Sequence, residues 1–505
     1  MRKQIGIGAI GVALAFAGSA FATPETRCEH ILKRFGDRLA DATCVESADL
    51  TTANEITTPV DNSLPGLPAF AFTPRTDRAV IVDATHGRPI SKAVPGVQID
   101  ARIASDPQGQ ARFLLRLPND WNERLVVAGA SGTRSEFNGD FGWSDYVLQQ
   151  RYAYASQNKG VLNLRLTTAA DPLGCRLRPS SGVYVHFYDL DNGQDFTRWA
   201  QFMAEAARLA RRGVEARYGH DPIRTYSVGT SNGGYQVRRA VESYPELFDG
   251  GVDWEGTFVD AENPNLFMEL PSAVLNFPDP GGTGSPSGVG ANSTAAKNIQ
   301  LAGYPPDIEN AAGTASLWNN YSIQFWEVTL CQWQKRLDPG YDTYGSGTAT
   351  YNYVARRSES DVAQQVAAFA TTGVIQRPLI TVAGTMDALL PIDHHARAYA
   401  RKVAAALAAR GNGDRDDDHD RDDRRRDRRP AYRLYEVQNG NHIETYRNTF
   451  PQLEYIEAHA QRAFDLLVDS VEHGKELPAS QCIPRDGAIS TAPAQPGHCV
   501  NLFEP

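Results

Sequence analysis

The sequence predicts an α/β fold, a mostly parallel central sheet with helices on both faces and one long insertion. Three observations carry this. Leu125-Val126-Val127-Ala128-Gly129-Ala130 and Pro378-Leu379-Ile380-Thr381-Val382-Ala383-Gly384 are short apolar runs ending in small residues, the composition of buried strands. Between them lies a helical stripe from Asp195 to Arg217, with Phe196, Trp199, Met203, Ala206, Ala210 and Val214 on one side. Strands alternating with helices point to a parallel sheet covered on both faces. The series breaks over residues 260–374, where Pro/Gly/Ser-rich stretches and the aromatics Phe267, Phe277, Trp318, Tyr321, Phe325, Trp326 and Trp333 read as an inserted lid packed by its own rings.

In chain order, residues 1–22 read as a secretory signal peptide. Arg2 and Lys3 open it, Ile5 to Phe21 is apolar or small, and Ala20-Phe21-Ala22 is a cleavage-type tripeptide. Export to the periplasm or beyond follows, with no membrane attachment once the peptide is removed. Residues 23–90, rich in Thr, Pro and Asp, read as an irregular N-terminal arm. Residues 91–259 form the first part of the core. In it Val97–Ile103 alternates apolar with polar residues, Ala111–Leu117 pairs with it, and Tyr152–Ala155 is a further strand. Residues 375–480 form the second part, with a helix from about Asp393 to Ala409 and a last strand at Tyr432–Val437. Within it, residues 411–430 are Asp and Arg with little else, a solvated loop that cannot bury apolar surface. Residues 481–505 read as a C-terminal tail.

The 505-residue chain carries a formal net charge of -10, which gives no support for a nucleic-acid partner. Its six cysteines, Cys28, Cys44, Cys175, Cys331, Cys482 and Cys499, suit disulfides in an oxidising compartment. Fifteen connectivities are open to six cysteines and the sequence selects none. Pairing neighbours would join Cys28 to Cys44 and Cys482 to Cys499, leaving Cys175 with Cys331. No C-x-x-C or clustered Cys/His spacing suggests zinc, and Asp416-Asp417-Asp418 lacks the rest of a calcium loop. No cofactor is expected.

The chemistry centres on Gly229-Thr230-Ser231-Asn232-Gly233, placed between the β-prone Arg224–Val228 and a helical stripe that Pro245 stops. A serine on a sharp strand-to-helix turn flanked by glycines is a nucleophile elbow. Its hydroxyl needs a base, and the base needs an acid to orient it. Asp387, just after the Leu379 strand, is the candidate acid, although it could simply cap the following helix. Asp253 and Glu255 are rival acids. His442, in the turn after Tyr432–Val437, is the candidate base. Asp393, His394 and His395 read as a helix start, His473 and His498 fall in or near the final helix and the cysteine-bounded tail, and His220, in the turn before the elbow strand, reads as structural. Oxyanion donors are expected from the N–H of Asn232 and from Ser131 or its neighbour Ala130.

Three segments carry a resemblance: Leu117-Pro118-Asn119-Asp120-Trp121-Asn122, Ser231-Asn232-Gly233-Gly234 and Gly384-Thr385-Met386-Asp387. Together they resemble secreted α/β-hydrolase esterases, namely the tannase/feruloyl-esterase and hydroxybutyrate-oligomer-hydrolase relatives, over about Val97 to Glu444. That resemblance implies an α/β-hydrolase fold with an inserted lid domain and cleavage of carboxylic esters by a serine esterase. Tannase-type relatives carry a disulfide between the neighbours of the nucleophile and the histidine; here those neighbours are Thr230 and Ile443. The reading therefore leans toward a hydroxyalkanoate oligomer or another hydrophobic ester, a small-molecule or oligomeric substrate. A feruloyl or tannase-type esterase, a peptidase or amidase, and a non-catalytic hydrolase-fold binding protein are the alternatives.

Overall fold

The computed structural model describes residues 26–54, 57, 90–132, 135–140, 142–161, 164–165, 174–176, 184–185, 196–277, 293–341, 350–413 and 430–505. The expected signal peptide and most of the Asp/Arg-rich loop lie outside them.

The strands are β1 (Leu39–Ser47), β2 (Gly96–Ile103), β3 (Arg112–Pro118), β4 (Arg124–Gly129), β5 (Ala153–Gln157), the short ribbon β6 (Leu164–Arg165) with β7 (Tyr184–Val185), then β8 (Arg224–Thr230), β9 (Gly250–Trp254), β10 (Leu379–Gly384), β11 (Tyr432–Val437) and β12 (Gln481–Ile483). Ten of them form one sheet in the order β1-β2-β3-β5-β4-β8-β9-β10-β11-β12. The β1–β2, β2–β3 and β3–β5 pairs are antiparallel. Every pair from β5 through β12 is parallel. The carboxyl ends of β8, β9, β10 and β11 therefore share one edge, where open parallel sheets place their chemistry.

Period-two side-chain alternation divides each buried strand between two cores. Leu125 and Val127 of β4 face one side, with Met203, Ala206 and Ala210 of the helix Thr197–Tyr218 and Val237 and Val241 of the helix Asn232–Ser243. Val126 and Ala128 face the other, with Phe464 and Leu467 of the helix Glu457–His473. Gly251 brings the Asn232–Ser243 helix close: a Cβ there would lie 2.6 Å from Val237 Cγ1.

Two of the expected segments carry more regular structure than their composition suggests. Segment 23–90 is not simply irregular, since it supplies the helix Arg27–Phe35 and β1. Thr26 and Glu29 close a capping box on that helix, and the Cys28–Cys44 disulfide ties it to the strand. The tail 481–505 contains β12, which extends the sheet beyond β11. The other disulfides join Cys175 to Cys331 and Cys482 to Cys499.

Between β9 and β10 the chain builds the helices Leu266–Asn276, Thr294–Leu301, Leu317–Tyr321, Glu327–Leu337, Tyr353–Glu359 and Val362–Ala368. Phe267, Trp318, Tyr321, Trp326 and Trp333 are buried in a cluster that also takes in Met386, Leu389, Leu390 and Tyr446. The insertion thus packs onto the loops that follow β10 and β11. Among the described residues no helix is long and apolar enough to cross a membrane.

Candidate active site

Ser231 sits between β8 and its helix with φ 60° and ψ -123°. A left-handed backbone at a non-glycine residue costs about 1–3 kcal/mol and persists only where its surroundings enforce it. The glycines are the enforcement. A Cβ on Gly229 would lie 2.4 Å from the Gly233 carbonyl oxygen, and one on Gly233 would lie 2.7 Å from that of Gly129. The elbow and the end of β4 thus touch backbone to backbone. The Ser231 N–H donates to the Trp254 carbonyl at 2.9 Å, anchoring the turn to β9.

Asp387 divides its work between its two oxygens. Oδ1 accepts the N–H groups of Leu389 and Leu390, each at 2.7 Å, the capping role that sequence allows. Oδ2 accepts from His442 Nδ1 at 2.8 Å. That bond puts the proton on Nδ1 and leaves the Nε2 lone pair to act as a base. The two loops are bound together by Met386 N–H to the Gly440 carbonyl (2.8 Å) and Asn439 N–H to Thr385 Oγ1 (2.9 Å). Ser231 and His442 each keep 8% of their surface exposed. No hydrogen bond joins Ser231 Oγ to His442 among the described residues; shared sheet edge and backbone ties relate them. Apo geometry at such sites is often looser than in the reacting complex.

The rival acids separate. Asp253 is fully buried under the elbow, bound to Arg238 Nε at 2.6 Å, Gly256 N–H at 2.7 Å and Thr381 Oγ1 at 2.9 Å. It is a structural anchor. Glu255, by contrast, lies in the site, with Oε2 3.6 Å from His442 Nδ1. Burial first, and then the negative charge of Asp387, push its carboxyl well above the usual range. Glu255, Asp387 and His442 each offer a donor atom within 4.8 Å of the others, a grouping that could hold a cation. The facing atoms of His442 and Asp387 are, however, spent on each other.

Asn232 opens its helix, where first-turn N–H groups lack intrahelical partners, as an anion site requires. The loop opposite distinguishes the two other candidates. Ala130 N–H is turned to Gln236 Oε1 at 3.4 Å. Ser131 Oγ donates to the Thr230 carbonyl at 3.0 Å, locking the loop against the elbow. Lys159, fully buried, donates from Nζ to the carbonyls of Ser131 and Gly132. Sequence reading missed Lys159 and Gln236, because nothing in the linear order shows that they reach this loop.

His394 and His395 do belong to a helix approach, as expected, but they also share a partner. His394 Nδ1 and His395 Nε2 bind the two oxygens of Glu269, from the insertion, at 2.8 and 2.7 Å.

Comparison with known proteins bears on fold and on part of the chain. A solved esterase from Aspergillus oryzae superposes over 90% of this chain and 90% of its own, with a TM-score of 0.50 and 14% identity. The fold is that of an α/β-hydrolase. Feruloyl esterase B from Aspergillus oryzae aligns over 89% of this chain and 91% of its own, with a TM-score of 0.48 and 13% identity. The model of the 3HB-oligomer hydrolase family matches residues 343–500, the part of the chain that holds β10 to β12, Asp387 and His442. A D-(-)-3-hydroxybutyrate oligomer hydrolase of Burkholderia thailandensis is 30% identical over 128 residues, 24% of this chain. One from Burkholderia mallei is 31% identical over 127 residues, 23% of this chain. Each match spans 15% of the relative's own length.

Proposed function

We propose that the chain is an exported serine hydrolase that cleaves carboxylic ester bonds through an acyl-enzyme. The observation that carries this reading is the Asp387–His442 hydrogen bond at 2.8 Å, on the same sheet edge as the strained Ser231 elbow. Ser231 attacks the ester carbonyl while His442 Nε2 takes its proton, and Asp387 holds the imidazole in the tautomer this requires. The N–H groups of Asn232 and Ser131 receive the oxyanion; the engagement of Ala130 N–H by Gln236 favours Ser131 over Ala130. His442 then protonates the leaving alcohol, and water releases the acid. No metal or organic cofactor takes part.

For the substrate we favour a hydroxyalkanoate oligomer, because the matched relatives are 3-hydroxybutyrate oligomer hydrolases and their match covers the acid and histidine loops. Thr230 and Ile443 stand beside the nucleophile and the histidine, which argues against tannase activity proper. Export is supported by the three disulfides and by the apolar opening of the sequence. The test is Ser231→Ala, assayed on hydroxybutyrate oligomers, feruloyl and galloyl esters and p-nitrophenyl esters, with fluorophosphonate labelling alongside. Turnover and labelling should vanish while the fold persists; undiminished turnover would falsify the assignment.

A further inference from the structure

We propose that Glu255 is a second acid partner of His442, a positioning residue that faces Nδ1 and holds the imidazole when Asp387 cannot. The inference deepens the hydrolase reading above and rests on it.

Glu255 follows β9, which lies between the elbow strand and the strand that delivers Asp387. Its backbone is left-handed, with φ 50°, in a residue type that avoids that region. Ser231 beyond β8 and Asn439 beyond β11, on the same sheet edge, share this conformation. The Glu255 N–H donates to the Val382 carbonyl at 2.8 Å, fixing the turn to β10. Oε1 accepts the Gly384 N–H at 3.1 Å. Oε2 is buried, has no hydrogen-bond partner among the described residues, and lies 3.6 Å from the nitrogen that Asp387 holds at 2.8 Å.

An unpartnered carboxyl oxygen in a buried pocket is costly, and α/β folds normally satisfy such atoms. Its placement beside a catalytic imidazole gives it a use. Two carboxyls this close cannot both be ionised. Asp387 receives three N–H donors, from Leu389, Leu390 and His442, whereas Glu255 receives the Gly384 N–H and is approached by the Trp254 side chain. The negative charge therefore stays on Asp387 and the shared proton on Glu255. The other titratable groups facing Glu255 are Glu444 on the histidine loop and the Tyr321 phenol from the insertion, and neither supplies positive charge. If Asp387 is removed, its repulsion goes with it. Glu255 can then release its proton to water and accept the Nδ1–H itself.

The experiment compares wild type, Glu255→Gln, Asp387→Ala and the double variant by kcat against pH on a p-nitrophenyl ester. Glu255→Gln should lower kcat by about 2- to 5-fold at neutral pH, since Asp387 still holds the imidazole and the amide keeps the shape of the neutral acid but not its proton. Asp387→Ala should keep measurable turnover with its acid limb moved to higher pH, because Glu255 must now ionise. Adding Glu255→Gln to Asp387→Ala should cost about 10-fold or more and abolish that limb, a non-additive loss. A double variant matching Asp387→Ala at every pH would overturn the proposal. Because Asp387→Ala also strips an acceptor from two backbone amides, the His442 Nδ1 proton resonance gives a second readout. In wild type it should move as Glu255 ionises, and in Glu255→Gln that step should disappear; an unchanged step would also overturn it. Wild-type turnover that survives Ser231→Ala would instead sink the hydrolase reading, and this inference with it.

Discussion

Glu269→Gln should weaken the attachment of the insertion to the core, and by an amount that depends on pH. Glu269 is fully buried and is clamped by His394 and His395, which approach from the β10 side. His395 Nδ1 accepts the Phe258 N–H at 2.9 Å, so its Nε2 is the donor to Glu269. Burial alone would raise the Glu269 carboxyl, but the two histidines outweigh it and hold it below its ordinary 4.5. Burial would lower His394, yet its bond to Glu269 leaves it above its ordinary 6.5, with Asp393 adding to the effect and Arg401 opposing it. The Glu269 contribution is present above 4.5 and is lost as pH falls through its lowered value. The His394 contribution is complete below 6.5 and is lost as pH rises through its raised value. The clamp is strongest between those two limits.

A hydrogen bond to a charged group contributes about 1.5–3 kcal/mol, and breaking a buried ion pair costs about 3–5 kcal/mol. Gln at 269 keeps the shape and one acceptor but no charge. The loss should therefore be about 1.5–3 kcal/mol near pH 6 and smaller once pH has risen through the raised His394 value, above which the wild-type bond is between a carboxylate and a neutral ring. Urea unfolding followed by tryptophan fluorescence reads this, three of the seven tryptophans, Trp318, Trp326 and Trp333, lying in the insertion. A difference between the proteins that stays constant from pH 5 to pH 9 would refute the reasoning.

Two further outcomes are expected. Lys159→Met should lower kcat about 10- to 100-fold with little change in KM, by releasing the Ser131 and Gly132 carbonyls and loosening the loop proposed to receive the oxyanion; steady-state kinetics on a soluble ester checks it, and an unaltered kcat would remove the loop from the mechanism. Gly234→Ala would put a Cβ 2.3 Å from Asp253 Oδ1 and 2.6 Å from Gly256 Cα, in a fully buried site. It should destabilise the fold by at least about 1–3 kcal/mol, seen as a lower Tm, and a wild-type Tm would mean the elbow is more pliant than its packing implies.

The parts of the fold legible in the sequence are those written in local pattern. The apolar runs of β4 and β10 and the alternation in β2 mark strands because buried and half-buried strands need those compositions. The Ser231 elbow is legible because only glycine survives the contacts on either side of it. Asp387 and His442 could be placed by their position after strands. β1 was hidden because it is an edge strand with alternate residues exposed, and β12 because it is three residues long. Glu255 and Asp253 look equivalent in the sequence, both acids at the end of one strand. Two residues apart in a regular strand share a face, but the left-handed backbone at Glu255, just past the strand end, parts them, with Asp253 going to Arg238 and Glu255 to His442. Long-range partners of this kind leave no mark in a linear pattern.

The turn bearing His442 is braced from a distant part of the chain. The Glu504 N–H donates to Asn439 Oδ1 at 2.8 Å, Gln438 Nε2 reaches the Asn501 carbonyl at 3.3 Å, and Thr385 Oγ1 donates to the Leu502 carbonyl. Cys499, joined to Cys482, adds its N–H to Glu436 at 2.7 Å. The loop bearing the proposed base thus rests on contacts from residues 499–504, whereas the elbow bearing the proposed nucleophile is held by β9 and the end of β4.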